Sequence, residues 1–186
     1  TKFILRYLNF LNNKNLLNIV AVTKSVKKLF VEKYKVKSNK ITVLPSGSSI
    51  KINFKPNLNF NRRMKIGYFG SISPSKGINT IIKLSKIDRD NDYYIYGGLK
   101  NEIENLRKKN INNNLYLYEN VPYVSLARKM LDMDILTIPY TKNIKSAGEV
   151  DDISKYTSPL KLFDYLAVGK IIISSDLKVL RRELLN

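Results

Sequence analysis

The apolar positions of this chain fall into two alternating rhythms. Short, densely apolar runs are each followed by a stretch in which apolar residues return every third or fourth place. The first rhythm predicts strands and the second predicts helices with one apolar face. On this basis Phe3 to Leu11 is a helix and Leu16 to Val22 a strand. Thr23 stands where its hydroxyl can cap a helix over about 24–35. Ile41 to Leu44 is another short strand, ending at Pro45-Ser46-Gly47. Residues 50–63 are polar, with Pro56 and repeated Asn, and read as a linker. Beyond them, strands near 64–69, 92–97, 114–118, 134–138 and 170–174 alternate with helices near 76–86, 99–109, 123–131, 158–167 and 177–185. Repeated β-α units predict a parallel sheet with helices on both faces, a Rossmann-like, doubly wound α/β fold.

Composition narrows the functional classes. The 186 residues, 44% of them hydrophobic, suffice for one ordinary core, or one core plus a piece of another. No run approaches the ~20 apolar residues of a membrane-spanning helix. The start, Thr1 to Arg6, is charged and soon polar, unlike a secretory signal, and the absence of an initial Met is read as the mark of a fragment. Cysteine is absent, which excludes disulfides and thiolate metal sites, and so is histidine, the commonest general base and metal ligand. The net charge of +18 fits either a compositional drift toward Lys, Asn and Ile or an anionic partner: a nucleotide phosphate, an acidic membrane face or nucleic acid. Lys24, Lys27, Lys28, Lys33, Lys35 and Lys37 form a cluster that suits an anionic membrane or a solvated helix face.

Two segments carry the candidate chemistry. In Gly70 to Gly77, small residues let backbone approach an anion, and the helix begun near Lys76 adds N–H groups, dipole and a compact charge. Neither a Walker Gly-Lys order nor GxGxxG is present, so ATPase and NAD chemistry have little support. From Tyr156 to Asp176 the chain reads as loop, helix, Gly turn, strand and loop. Pro159 suits the first helical turn. Leu160, Phe163 and Leu166 are expected as the apolar stripe, with Asp164 on its flank, Gly169 as the stop, and Ile171 to Ile173 as a strand apolar on both faces. A helix start facing an anion, with a carboxylate one turn in to accept sugar hydroxyls, suggests a diphosphate–sugar ligand rather than a metal or a peptide. The long loop from Thr141 to Thr157 reads as a lid or binding loop, and its acids Glu149, Asp151 and Asp152 as solvated chain. Gly97-Gly98 and Asn120-Val121-Pro122 lie at strand carboxyl ends, where open α/β sheets bind ligands. Asp132 and Asp134 straddle a helix end and a strand start and are not read as a metal motif, and most tyrosines are read as core or rim rather than as RNA-stacking groups.

Ser158, Pro159, Lys161, Phe163, Asp164, Tyr165, Ala167, Gly169, Lys170, Ile172, Ile173, Ser175 and Asp176 together resemble the signature S-P-x-K-x-F-E-Y-x-A-x-G-K-x-I-I-x-S-D of GT-B glycosyltransferases of family 4. Ile66 to Ile78 resembles that family's strand, glycine loop and Lys-Gly helix start, and the two segments stand in the family's order. Ile19 to Ser25 and Val43 to Gly47 resemble the last elements of the amino-terminal domain, with Ser46 in place of the usual Asn and Ser48 and Ser49 after the turn. The resemblance implies the end of an acceptor-side Rossmann-like domain over 1–49, an interdomain linker over 50–63, and a nucleotide-sugar-binding domain over 64–186, truncated at its carboxyl end. It implies diphosphate binding by Gly70, Ser71, Lys76, Ser158, Leu160 and Lys161, with Ser71 where family members often carry Arg. Asp164 matches the second Glu of the E-x7-E motif and would bind ribose, while the first Glu position holds Tyr156. Gly97, Asn120 and Val121 would flank the base. The implied reaction is metal-independent transfer, with retention, from a nucleotide diphosphate sugar to a glycan or lipid acceptor in cell-surface polysaccharide synthesis, with no other cofactor and no nucleic-acid partner. The implied location is the cytoplasm, with peripheral contact at an anionic membrane face, and the 186 residues alone are expected to be inactive. A non-catalytic basic module that binds anionic polymer is the alternative.

Overall fold

A computed structural model describes residues 10, 11, 13–51, 61–109, 112–145 and 152–184. Most of the expected helix over 3–11, the centre of the expected linker (52–60) and the middle of the 141–157 loop, with Glu149 and Asp151, lie outside the described residues. The chain divides into two compact units, Thr1–Ser46 with Lys155–Ser158, and Gly47–Ser154 with Pro159–Asn186.

In the first unit, strands β1 (Ile19–Ala21) and β2 (Ile41–Val43) pair in parallel, with helix α1 (Lys24–Glu32) between them in sequence. Thr23 caps α1 as expected: its Oγ1 accepts the Val26 N–H at 3.1 Å. Leu11, Ala21, Val36 and Ile41 form the small core. One member of the lysine cluster serves this packing, since Lys27 Nζ donates to the Ile41 carbonyl at 2.7 Å, while Lys28 pairs with Glu32 at 3.6 Å on the exposed side of α1.

The second unit is built from β3 (Lys65–Phe69), α2 (Ile78–Ile87), β4 (Asp92–Tyr96), α3 (Lys100–Lys109), β5 (Leu115–Tyr118), α4 (Tyr123–Leu131), β6 (Ile135–Ile138), α5 (Leu160–Val168), β7 (Ile171–Ser174) and α6 (Lys178–Leu184). A 3-10 turn, Pro74–Lys76, leads into α2. The five strands are all parallel, in the order β5-β4-β3-β6-β7. Alternate strand residues point to opposite faces, and the cores divide accordingly. Tyr68, Ile95 and Leu117 pack with Ile78, Ile81 and Ile82 of α2 and Ile103 of α3. Phe69, Tyr96, Leu136 and Ile138 pack with Met130 of α4, Leu162, Tyr165 and Val168 of α5, and Val179 and Leu180 of α6. On the second face Phe69 stacks on Tyr96, and Tyr96 on Tyr118, with ring centroids 4.8 and 4.6 Å apart.

Two expectations for 160–173 are corrected by this packing. The buried stripe of α5 is Leu162, Tyr165 and Val168, whereas Leu160 and Leu166 are 56% and 48% exposed. Strand β7 is an edge strand rather than one buried on both faces, and Ile173 is 55% exposed. Gly169 ends α5 as expected, at φ 71°. Asp134 has a structural duty. It accepts the Lys65 N–H at 2.8 Å and pairs with Arg62, tying the start of β3 to the residue before β6.

Candidate functional site

The chain winds from β3 through β4 to β5 in one direction and then returns to β6 and β7 on the other side of β3. Strand order therefore reverses between β3 and β6, and the carboxyl ends of those two strands flank the crevice where open α/β sheets bind ligands. The sheet opens there. Pairing between β3 and β6 runs only from Ile66 with Ile135 to Gly67 with Leu136. At the next outward position the Phe69 N–H donates instead to the Tyr165 hydroxyl at 3.0 Å, a side chain supplied by α5. A buried amide without a partner would cost about 1–3 kcal/mol, so this hydroxyl is what allows the strands to part.

Three strand ends line the crevice in steps. The Gly70 N–H donates to the Tyr96 carbonyl at 2.8 Å, and the Gly97 N–H to the Tyr118 carbonyl at 3.0 Å. Asn120 clamps the third step. Its Oδ1 accepts the Gly98 N–H at 3.1 Å and its own N–H donates to the Gly98 carbonyl at 3.2 Å. Gly70 and Gly97 have φ of 143° and 152°, and a Cβ on Gly97 would collide with the Gly70 carbonyl. A Cβ on Gly70 would occupy the space of Lys161 Cε and Nζ. The Val121 side chain packs against the larger core, which leaves its backbone for any contact with a base.

Lys161, on the first turn of α5, reaches back across Gly70. Its Nζ donates to the Tyr68 hydroxyl at 2.9 Å and lies 4.5 Å from the Tyr68 ring centroid and 5.2 Å from that of Tyr140. The Tyr68 hydroxyl in turn donates to the Ser71 carbonyl at 2.8 Å, so one phenol links Lys161 to the glycine loop. Lys76 approaches the same Tyr140 ring, with Nζ 5.1 Å from the centroid, and donates to the Lys145 carbonyl at 3.5 Å. Two ammonium groups are thus gathered on one aromatic ring beside the end of β6. Burial, and next the charge of Lys76, push Lys161 from 10.5 down to about 7. Burial also raises the Tyr68 phenol, and holds that of Tyr140 up at about 12.

Asp164 stands one turn after Lys161 on the same flank of α5. Its Oδ1 accepts hydrogen bonds from Ser48 Oγ at 2.6 Å and from the Tyr123 hydroxyl at 3.0 Å. The structure brings Gly70, Lys76 and Lys161 together, sets Gly97 against Gly70 and Asn120 against Gly98, and places exposed Ser71 on the glycine loop and Leu160 at the start of α5. Ser158 falls in Lys155–Ser158, which group with the first unit. The sequence does not single out Tyr68, Tyr140 or Tyr123, and it marks Tyr165 only as a position in the resembling signature. Tyr123 had a local sign, a helix start directly after Pro122, but the other three are brought in by the sheet order. Among the described residues, no three or more His, Cys, Asp or Glu gather to hold a metal ion, and no helix is long and apolar enough to cross a membrane.

No protein-family model matches the sequence, and no curated protein matches it. Solved structures do match. HepE of Anabaena, in complex with UDP and glucose, is similar over 98% of this chain and 50% of its own, at TM-score 0.61 and 12% identity. A glycosyltransferase from Rickettsia africae is similar over 97% and 50%, at TM-score 0.64 and 16% identity. WaaG, a glycosyltransferase involved in lipopolysaccharide biosynthesis, is similar over 89% and 46%, at TM-score 0.61 and 14% identity. The chain spans about half the length of the solved structures it matches. The parallel five-stranded sheet and this likeness over most of the chain identify the architecture as the GT-B fold of glycosyltransferases.

Proposed function

We propose that this chain carries the donor-binding part of a retaining, family 4 glycosyltransferase, which moves a sugar from a nucleotide diphosphate sugar to a glycan or lipid acceptor in cell-surface polysaccharide synthesis. One observation carries the reading: Lys76 and Lys161 converge on Tyr140 at the switch point, beside the glycine loop and the start of α5. The free N–H groups of a helix's first turn and two ammonium groups together suit an anion such as a diphosphate. Negative charge grows on the departing diphosphate as the bond from its oxygen to the anomeric carbon breaks. Donors already in place stabilise that charge without reorganising. The acceptor hydroxyl attacks from the same face, and its proton passes to the leaving phosphate oxygen. The two lysines supply the positive charge for this step, so the reading requires no metal ion. Asp164 receives the ribose hydroxyls, and Gly97, Asn120 and Val121 border the base. UDP in the complex of Anabaena HepE supports a nucleotide diphosphate as ligand. The reading includes a cytoplasmic location, with the lysines of 24–37 facing an anionic membrane, and nucleotide binding without robust turnover from these 186 residues.

Thermal-shift measurements with UDP, GDP, ADP, CMP and their sugars test the reading. One nucleotide should stabilise the chain selectively, and Lys76→Ala and Asp164→Ala should each abolish the effect. No selective response, combined with DNA or RNA affinity that falls steeply with salt, would make the chain a basic polymer-binding module instead.

A further inference from the structure

Asp164 is held in place by hydroxyls from two distant parts of its own unit. Ser48 belongs to the segment 47–50 ahead of β3, and Tyr123 is the first residue of α4, directly after the 120–122 turn. Both donate to the same oxygen, Oδ1, at 2.6 and 3.0 Å, and Ser49 Oγ lies 3.3 Å from the Tyr123 hydroxyl. Among the described residues no donor is placed on Oδ2. A carboxylate has about four acceptor sites, so two donors on one oxygen fix the plane of the group and leave the other oxygen to a ligand. Tyr123 is 47% exposed, so little of its ring is committed to the core.

We propose that Ser48 and Tyr123 are positioning residues, which turn Asp164 so that Oδ2 faces the ribose hydroxyls of the bound nucleotide. This rests on the functional reading above and adds to it the groups that aim the acid. The two hydroxyls offset the missing methylene of Asp relative to Glu by fixing orientation where reach is short. They also couple the 120–122 turn beside the base to the group that grips the sugar.

The test is calorimetric titration of the 186-residue chain with UDP, GDP and ADP, each beside its 2′,3′-dideoxy form. The nucleotide that binds should prefer ribose by about 10–100-fold, the worth of a hydrogen bond to a charged group. Tyr123→Phe keeps the ring and removes only the hydroxyl, and Ser48→Ala removes the other donor. Each should lower the preference at least ~3-fold, and the double variant should bring it within about 3-fold of none. A purely structural role would leave this ratio unchanged, and either single variant decides if the double variant does not fold. Variants that keep the wild-type preference overturn the proposal and leave the functional reading standing. A wild-type chain that binds none of the three, or binds without preferring ribose, overturns both.

Discussion

Raising the pH from 6 to 8 should loosen the sugar nucleotide about tenfold, and Lys161 is the reason. Its ammonium lies among Tyr68, Tyr140 and Lys76, and forms no salt bridge with a described carboxylate. Burial and the neighbouring lysine charge bring it down to about 7, so in the free protein it is half protonated at neutrality. A diphosphate beside it favours the charged form. On the proposed reading the complex would therefore hold more protons than the free protein, and affinity should fall as pH rises through about 7. If only the ammonium engages the ligand, the apparent Kd rises about twofold by pH 7 and about tenfold by pH 8. The phenols of Tyr68 and Tyr140, both raised by burial, stay protonated throughout this window. Calorimetry with a sugar nucleotide avoids the terminal phosphate, whose own proton is lost near pH 6. Repeating the titration at pH 7 in buffers of different ionisation enthalpy should show uptake of about half a proton. Lys161→Arg keeps the charge at every pH and should flatten the profile. A wild-type affinity that is level from pH 6 to 8, or a slope that survives in Lys161→Arg, refutes the reasoning.

Gly70→Ala sets a methyl group on the Lys161 chain and strains a φ of 143°, so it should weaken the nucleotide at least ~10-fold and cost about 1–3 kcal/mol of stability, read by titration and urea unfolding. The same lysine should be visible in the stability curve. Its folded value lies below its unfolded one, so between about 7 and 10.5 the unfolded chain binds more protons and stability rises with pH. Lys161→Met should therefore raise Tm at pH 6, by an amount that shrinks as the pH approaches 10; a constant difference would contradict the assignment. Asp134→Ala leaves the Lys65 amide and Arg62 without their carboxylate and should lower the urea midpoint at constant m by about 2 kcal/mol of stability. Nucleotide affinity in that variant should stay within about twofold, because Asp134 lies at the opposite end of the sheet.

The elements of the second unit were legible because each is long enough to display its period. The expected strands and helices from 64 onward all occur, with ends displaced by a residue or two. What failed was the choice between faces. In α5 both Leu160, Phe163, Leu166 and Leu162, Tyr165, Val168 are apolar triplets at helical spacing, and only the position of the sheet selects the second. Likewise Ile171 to Ile173 is as apolar as a central strand, but its place in the sheet depends on strand order, which local pattern does not encode. The site divides in the same way. Gly70, Lys76, Lys161 and Asp164 sit in short motifs, so the sequence alone nominates them as candidates. Their supports cannot, because Ser48 meets Asp164 across 116 positions and Tyr68 meets Lys161 across 93. Tyr165 falls within the resembling signature, yet its task of receiving the Phe69 amide where β3 and β6 part depends on two strands that are not neighbours in sequence.

The environment of Lys161 also explains why a structural role accounts poorly for it. A buried lysine is ordinarily paired, and the drop from 10.5 to about 7 corresponds to several kcal/mol favouring the neutral form, an upper bound because the residue is partly exposed. That is a large fraction of the roughly 5–15 kcal/mol that holds a domain together. A carboxylate in the crevice would remove the cost, but it would also repel a diphosphate. Tyrosine rings do neither: they attract the ammonium through their faces, at up to about 2 kcal/mol when desolvated, and leave it available to an incoming anion. Gly70 completes the arrangement, since any side chain there would displace the lysine from the amides it accompanies. On the proposed reading, the two packed faces of the sheet carry the expense of an unpaired charge in the empty protein. The nucleotide then returns that energy as affinity when its phosphates supply the missing counter-charge.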